Sequence, residues 1–160
     1  MKSLPCWILS CAVTLAGACR STSEEHARWQ DVELSAPSEN VLWAVAGQEL
    51  QRLGFPVGTE ANQANNVMRS GWRTTLGAFR GEGHRERAEI RFESLDGGRY
   101  KLEVRVERED NMDWVRPSDL GHAKWEAAAD DTETAAILVQ RIRARLPEPL
   151  EVGERKKARG

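Results

Sequence analysis

Ala88-Glu89-Ile90-Arg91-Phe92-Glu93-Ser94-Leu95-Asp96-Gly97-Gly98-Arg99-Tyr100-Lys101-Leu102-Glu103-Val104-Arg105-Val106-Glu107 is the stretch that decides the fold. Ala88, Ile90 and Phe92 alternate with Glu89, Arg91 and Glu93, and Tyr100, Leu102, Val104 and Val106 alternate with Lys101, Glu103, Arg105 and Glu107. A strand turns successive side chains to opposite faces. Two such runs therefore predict an antiparallel pair with one apolar face and one wet face. Leu95-Asp96-Gly97-Gly98 between them supplies the positive-φ positions of a hairpin turn. The wet face carries both signs of charge, which predicts cross-strand ion pairs worth about 0.2–1 kcal/mol each. A solvated sheet face accounts for this charge run better than a ligand surface does.

An apolar sheet face needs a cover, and the flanking sequence offers two helices. Upstream, Ser38 is an N-cap, with Pro37 before it and Glu39 in the first turn. Leu42, Val45, Ala46, Leu50 and Leu53 follow at helical spacing, with Glu49 as the one polar break. Gly54 and Phe55 then form a Schellman-type stop, so the helix is predicted over 38–53. Downstream, Asp130 and Glu133 have capping-box spacing. Ala135, Leu138, Val139, Ile142 and Leu146 make one apolar face, Arg141, Arg143 and Arg145 complement the dipole, and Pro147 ends the helix.

Between the first helix and the hairpin, Phe55-Pro56-Val57 reads as a short extended piece and 58–66 as a polar turn or loop. Val67 to Trp72 reads as a strand, and 74–83 as a glycine-rich connection. Residues 110–129 lack periodicity apart from a short strand near Ala123 to Ala127. So long a structureless run marks a functional loop or an unrecognised element. These pieces add up to an α+β fold. It is a two-layer sandwich, with two helices packed on one face of an antiparallel sheet of about four strands.

The two ends read differently. Met1-Lys2 is a short positive segment, Leu4 to Leu15 is apolar, and Ala16-Gly17-Ala18 is the small-residue run of a peptidase site. The apolar run is too short to cross a bilayer, which takes about 20 residues. Small residues followed at once by Cys19 resemble the lipobox of bacterial lipoprotein precursors. That resemblance implies cleavage before Cys19, acylation of Cys19 and anchoring in the cell envelope. Arg20 stands where an Asp retains lipoproteins in the inner membrane of enteric bacteria, so the resemblance implies the outer membrane, facing the periplasm. Ala16-Gly17-Ala18 also fits an ordinary secretion signal, which would give a secreted chain without lipid. The expected organisation is a signal peptide over 1–18, a flexible polar tether over 19–37, the α+β domain over 38–147 and a disordered tail over 148–160.

The domain itself is similar to a known pattern. Leu50-Gln51-Arg52-Leu53-Gly54-Phe55-Pro56-Val57 closing a helix, with a strand ending at Trp72 beyond it, resembles the helix-grip domains of accessory lipoprotein C of the outer-membrane β-barrel assembly machine. The match covers about half of the chain after Cys19, and that family carries two such domains where one fits here. Fold alone does not carry the function across.

Composition narrows the chemistry. Lys and Arg total 23 and Asp and Glu total 25, a balance without the basic excess of a nucleic-acid binder. All three cysteines, Cys6, Cys11 and Cys19, lie at or before the cleavage site, so a mature chain has no internal disulfide and no Cys-ligated metal. His26, His84 and His122 show no metal-ligand spacing, and the glycines of 77–83 match neither phosphate-binding nor dinucleotide patterns. No nucleophile elbow is present. Glu82, Glu86, Asp110 and Asp113 are loop carboxylates without a defined pairing. The expectation is a protein that is not an enzyme and holds no cofactor.

Tryptophan is the remaining signal. Trp43 and Trp72 are assigned to the core. Trp114 and Trp125, in the irregular 110–129 region, are the candidate partner-binding residues, because aromatic side chains dominate binding hot spots. Capping the open end of the core is their competing role. The expected function is that of a membrane-anchored envelope lipoprotein, acting as an interaction or accessory module for another envelope protein. The alternatives are a periplasmic carrier of a small apolar ligand and a secreted protein without lipid.

Overall fold

The computed structural model describes residues 27–56, 60–62, 65–76 and 83–146. In chain order these form strand β1 (Gln30–Ser35), helix α1 (Glu39–Arg52), strands β2 (Glu60–Asn62), β3 (Val67–Arg69), β4 (Arg73–Thr75), β5 (His84–Ser94), β6 (Arg99–Asn111) and β7 (Trp125–Ala127), and helix α2 (Thr132–Arg145). The hairpin is the longest feature. β5 and β6 pair antiparallel from His84 opposite Asp110 to Ser94 opposite Tyr100. Gly97 and Gly98 both take φ near 74°, where a side chain would be strained, and the Leu95 N–H closes the turn on the Arg99 carbonyl at 2.8 Å. Around this pair the strand order is β1-β6-β5-β3-β2, with β4 also bonded to β5 and β7 to β6.

Alternation assigns the faces as the sequence requires. Ala88, Ile90, Leu102, Val104 and Val106 lose all solvent contact on one face, together with Leu42, Ala46 and Leu50 of α1 and Ala135, Leu138 and Ile142 of α2. Trp43 belongs to this core and stacks on Phe92 with ring centroids 4.8 Å apart. The architecture is α+β, with both helices on the same side of one antiparallel sheet. Glu49, the polar break in the α1 stripe, is buried between the helices. Its carboxylate meets Arg52 Nη1 at 2.5 Å and Arg145 Nε at 3.4 Å, which ties α1 to the last turn of α2. The α1 stop is as expected: Gly54 has φ 80° and the Phe55 N–H donates to the Leu50 carbonyl.

Several sequence expectations need correction. The sheet has seven strands among the described residues rather than about four. The tether does not run to 37. Gln30–Ser35 form an edge strand on β6, because Val32 and Leu34 alternate inward opposite Leu102 and Tyr100. The 67–72 strand stops at Arg69, and the chain re-enters the sheet as Arg73–Thr75, which runs into the expected 74–83 connection. Glu60–Asn62 form a strand within the predicted 58–66 loop, whereas Phe55 and Pro56 lie in no strand. β6 runs on to Asn111, into the 110–129 region, where the short strand expected near Ala123 to Ala127 forms as β7 and pairs with its end.

The second helix is capped one residue later than its spacing suggests. Asp131 accepts the Thr134 N–H at 2.9 Å and its hydroxyl at 2.6 Å, a cap worth about 1 kcal/mol. Asp130 is free for another task. Its carboxylate takes the buried Arg105 at 2.7 Å and the Arg28 backbone N–H at 2.7 Å. One buried aspartate thus joins β6, the lead-in to β1 and the start of α2. The signal and lipidation segment 1–18 with Cys19, the tail 148–160, His26 and the glycine run 77–82 lie outside the described residues.

Candidate functional site

Neither helix covers the other face of the sheet. Its charges are ordered by register. Opposite one another on β5 and β6 stand Glu93 and Lys101, Arg91 and Glu103, Glu89 and Arg105, Arg87 and Glu107, and Arg85 and Glu109, every pair of opposite sign. Arg87 reaches Glu107 at 2.7 Å and Arg85 reaches Glu109 at 2.5 Å. Glu89 is instead held by Arg69 at 2.5 Å and Arg91 at 2.9 Å, while Arg105 turns to Asp130. Burial pushes the Glu89 carboxyl up, but the hydrogen bonds and charges of Arg69 and Arg91 outweigh it and hold the group below the ordinary glutamate range.

That lowered value has a pH consequence. Glu89 contributes stability that is present above its unfolded value and lost as pH falls through the folded one. Acid melts of the wild type should therefore lose stability on the acid side of the ordinary 4.5, and Glu89→Gln should flatten that part of the profile. A Glu89→Gln profile parallel to the wild type would refute the pairing.

Arginine and tryptophan interleave on the same face. Arg91 lies over Trp29 at 4.0 Å, Trp72 lies under both Arg85 at 4.3 Å and Arg87 at 4.5 Å, and Arg85 also covers Trp125 at 4.9 Å. Each contact of this kind is worth about 0.5–1 kcal/mol at an exposed site. Trp72 was expected in the core. It is half-buried on the open face instead, because the chain bends out of the sheet between β3 and β4. Trp125 is half-buried, stacked under Arg85 from β7, and does not cap the core.

Trp114 has a different setting. It is 65% exposed in the loop between β6 and β7, alongside Met112, Val115 at 87% and Leu120. The loop is held by its own polar groups. Buried Asn111 accepts the N–H groups of Asp113 and Lys124, both at 3.0 Å. Asp113 accepts those of Val115 and Arg116, and Asp119 accepts that of Gly121 and pairs with His122 Nδ1 at 2.7 Å. The Arg116 N–H chiefly holds the Asp113 carboxyl below its ordinary range, and the His122 bond does the same for Asp119.

Of the carboxylates weighed for chemistry, Glu86, Asp110 and Asp113 have structural partners, and Glu82 lies outside the described residues. Glu86 is buried against Arg73, which also caps the α1 end at the Leu53 carbonyl at 2.5 Å and lies over Phe55. Asp110 pairs with Arg108 at 2.9 Å. Among the described residues no group of three or more His, Cys, Asp or Glu side chains converges as metal ligands would. No family model matches the chain, and no curated protein matches it. Sequence reasoning selected Trp114 and Trp125 but missed Trp29 and the role of Trp72. The available signal was the run of arginines at alternate positions 85, 87 and 91, which on a strand presents guanidinium planes to any aromatic beside them.

Proposed function

We propose that the chain is a membrane-anchored, non-enzymatic lipoprotein of the cell envelope, acylated at Cys19, whose domain binds another envelope protein on its open sheet face. The observation that carries the binding surface is the interleaving of Trp29, Trp72 and Trp125 with Arg85, Arg87 and Arg91 on the face that neither helix covers. Tryptophan and arginine are the residues over-represented in binding hot spots. Stacked in place, they lose little side-chain freedom when a partner covers them. The small-residue run ending at Cys19 supports the anchor, and Arg20 supports the outer membrane. The fully buried Leu42, Leu50, Leu138 and Ile142 between helices and sheet favour this reading over a carrier, whose apolar ligand would need that space.

Two experiments test it. Cys19→Ala should move the protein from the membrane to the soluble fraction, and a variant still bound to membranes would refute the anchor. Trp125→Ala should weaken crosslinked capture of the envelope partner about tenfold or more, a hot-spot loss of roughly 1.4 kcal/mol or above. Unchanged capture together with a lowered melting temperature would make Trp125 structural only.

A further inference from the structure

We infer that the exposed loop 112–124 rests on the lipid headgroup layer of the membrane that holds the anchor. This rests on the acylation of Cys19 proposed above. The first support is direction. β1 starts opposite Val104 and ends opposite Arg99, so the chain comes to the sheet from the Asn111 half of β6. The Arg28 N–H is pinned there on Asp130, while the Asp131 N–H bonds the Val106 carbonyl beside it. The loop leaves β6 at Asn111, towards the same end of the sheet.

The second support is length. From Cys19 to Arg28 is roughly nine residues, which span at most about 30 Å fully extended. From Val104 to Asn111 along β6 is roughly 23 Å. A lead of that length is long enough for the Asn111 end of the domain to reach the bilayer that holds the anchor. The third support is composition. Met112, Trp114, Val115 and Leu120 are the exposed apolar groups of the loop, with Arg116 and Lys124 exposed among them. Tryptophan beside cationic side chains suits the boundary between headgroups and acyl chains. The loop carboxylates Asp113 and Asp119 are hydrogen-bonded by backbone N–H groups of the loop itself, and Arg116 and Lys124 balance their charge.

The test uses the full chain made in its own host, with Val115 replaced by p-benzoylphenylalanine and the cells irradiated. The peptide carrying position 115 is expected to gain a phospholipid mass, in yield about tenfold above the same probe placed at Glu33. A second readout uses the purified acylated protein in phosphatidylethanolamine–phosphatidylglycerol vesicles containing brominated lipid. Tryptophan fluorescence should be quenched, and Trp114→Phe should remove most of that quenching. A protein adduct at position 115 in place of lipid, or quenching unchanged by Trp114→Phe, would overturn the inference. The intact mass of the same sample separates the two readings. Acylated Cys19 without a lipid adduct sinks the loop contact alone, and unmodified Cys19 sinks the anchor and the loop contact with it.

Discussion

Asp130→Ala is expected to destabilise the domain by about 3–5 kcal/mol, because it removes the buried carboxylate that holds the buried Arg105 guanidinium at 2.7 Å. Burial opposes the Arg105 charge, but the hydrogen bond and charge of Asp130 outweigh it and raise the guanidinium above its ordinary value. The same substitution strands the Arg28 N–H, which loosens the lead-in to β1. Thermal melts should therefore show a fall of at least about 10 °C. Proteolysis should cut first around Arg28, where the pinned backbone is released. The double variant Arg105→Met/Asp130→Leu should recover most of the loss, since replacing both partners of a buried pair by apolar groups is often neutral. A single-variant loss below about 1 kcal/mol would mean that the pair is solvated in solution.

Leu138→Ala is the second large effect, expected at about 2–5 kcal/mol. Leu138 is fully buried on α2 within the core that joins both helices to the sheet. Its removal leaves a cavity in the main apolar layer, and a rigid sheet of seven strands cannot collapse to fill it. Chemical denaturation should show a lower midpoint with an unchanged slope. Ile137→Ala, one position away but exposed, should change stability by less than about 0.5 kcal/mol. Equal losses at the two positions would contradict the assigned helix face.

The parts of the fold that were legible in the sequence are those governed by period and local chemistry. The alternation through Ile90, Phe92, Leu102 and Val104 set the hairpin and its apolar face, and Gly97-Gly98 set its turn. Ser38 and Gly54 bounded α1 to within a residue. What stayed hidden depends on long-range pairing. β1 has only Val32 and Leu34 as inward residues, too short an alternation to separate from a tether, and it becomes a strand because β6 offers an open edge. Three-residue strands such as β2 and β4 hold their place only through the strands beside them. Asp130 sits where capping chemistry would put it, but Asp131 beside it is the better placed for the helix, and Arg105 takes Asp130 from across the sheet.

The candidate site was legible in part. Trp114 and Trp125 stood out because an irregular stretch rarely carries two tryptophans without a use. Their separation into an exposed loop and an arginine stack follows from β7, a strand of three residues. Trp29 and Trp72 could not be placed beforehand. Their sides of the sheet depend on where β1 begins and on the bend between β3 and β4.

The proposed function requires a chain that starts at an acylated cysteine and holds its domain at a membrane. Intact-mass spectrometry of the protein purified from membranes of its own host tests it most directly. The expected mass is that of a chain beginning at Cys19, heavier than the polypeptide by a diacylglyceryl group and an amide-linked acyl chain. A chain that retains Met1, or one that begins at Cys19 with no added lipid and fractionates as soluble, would contradict it.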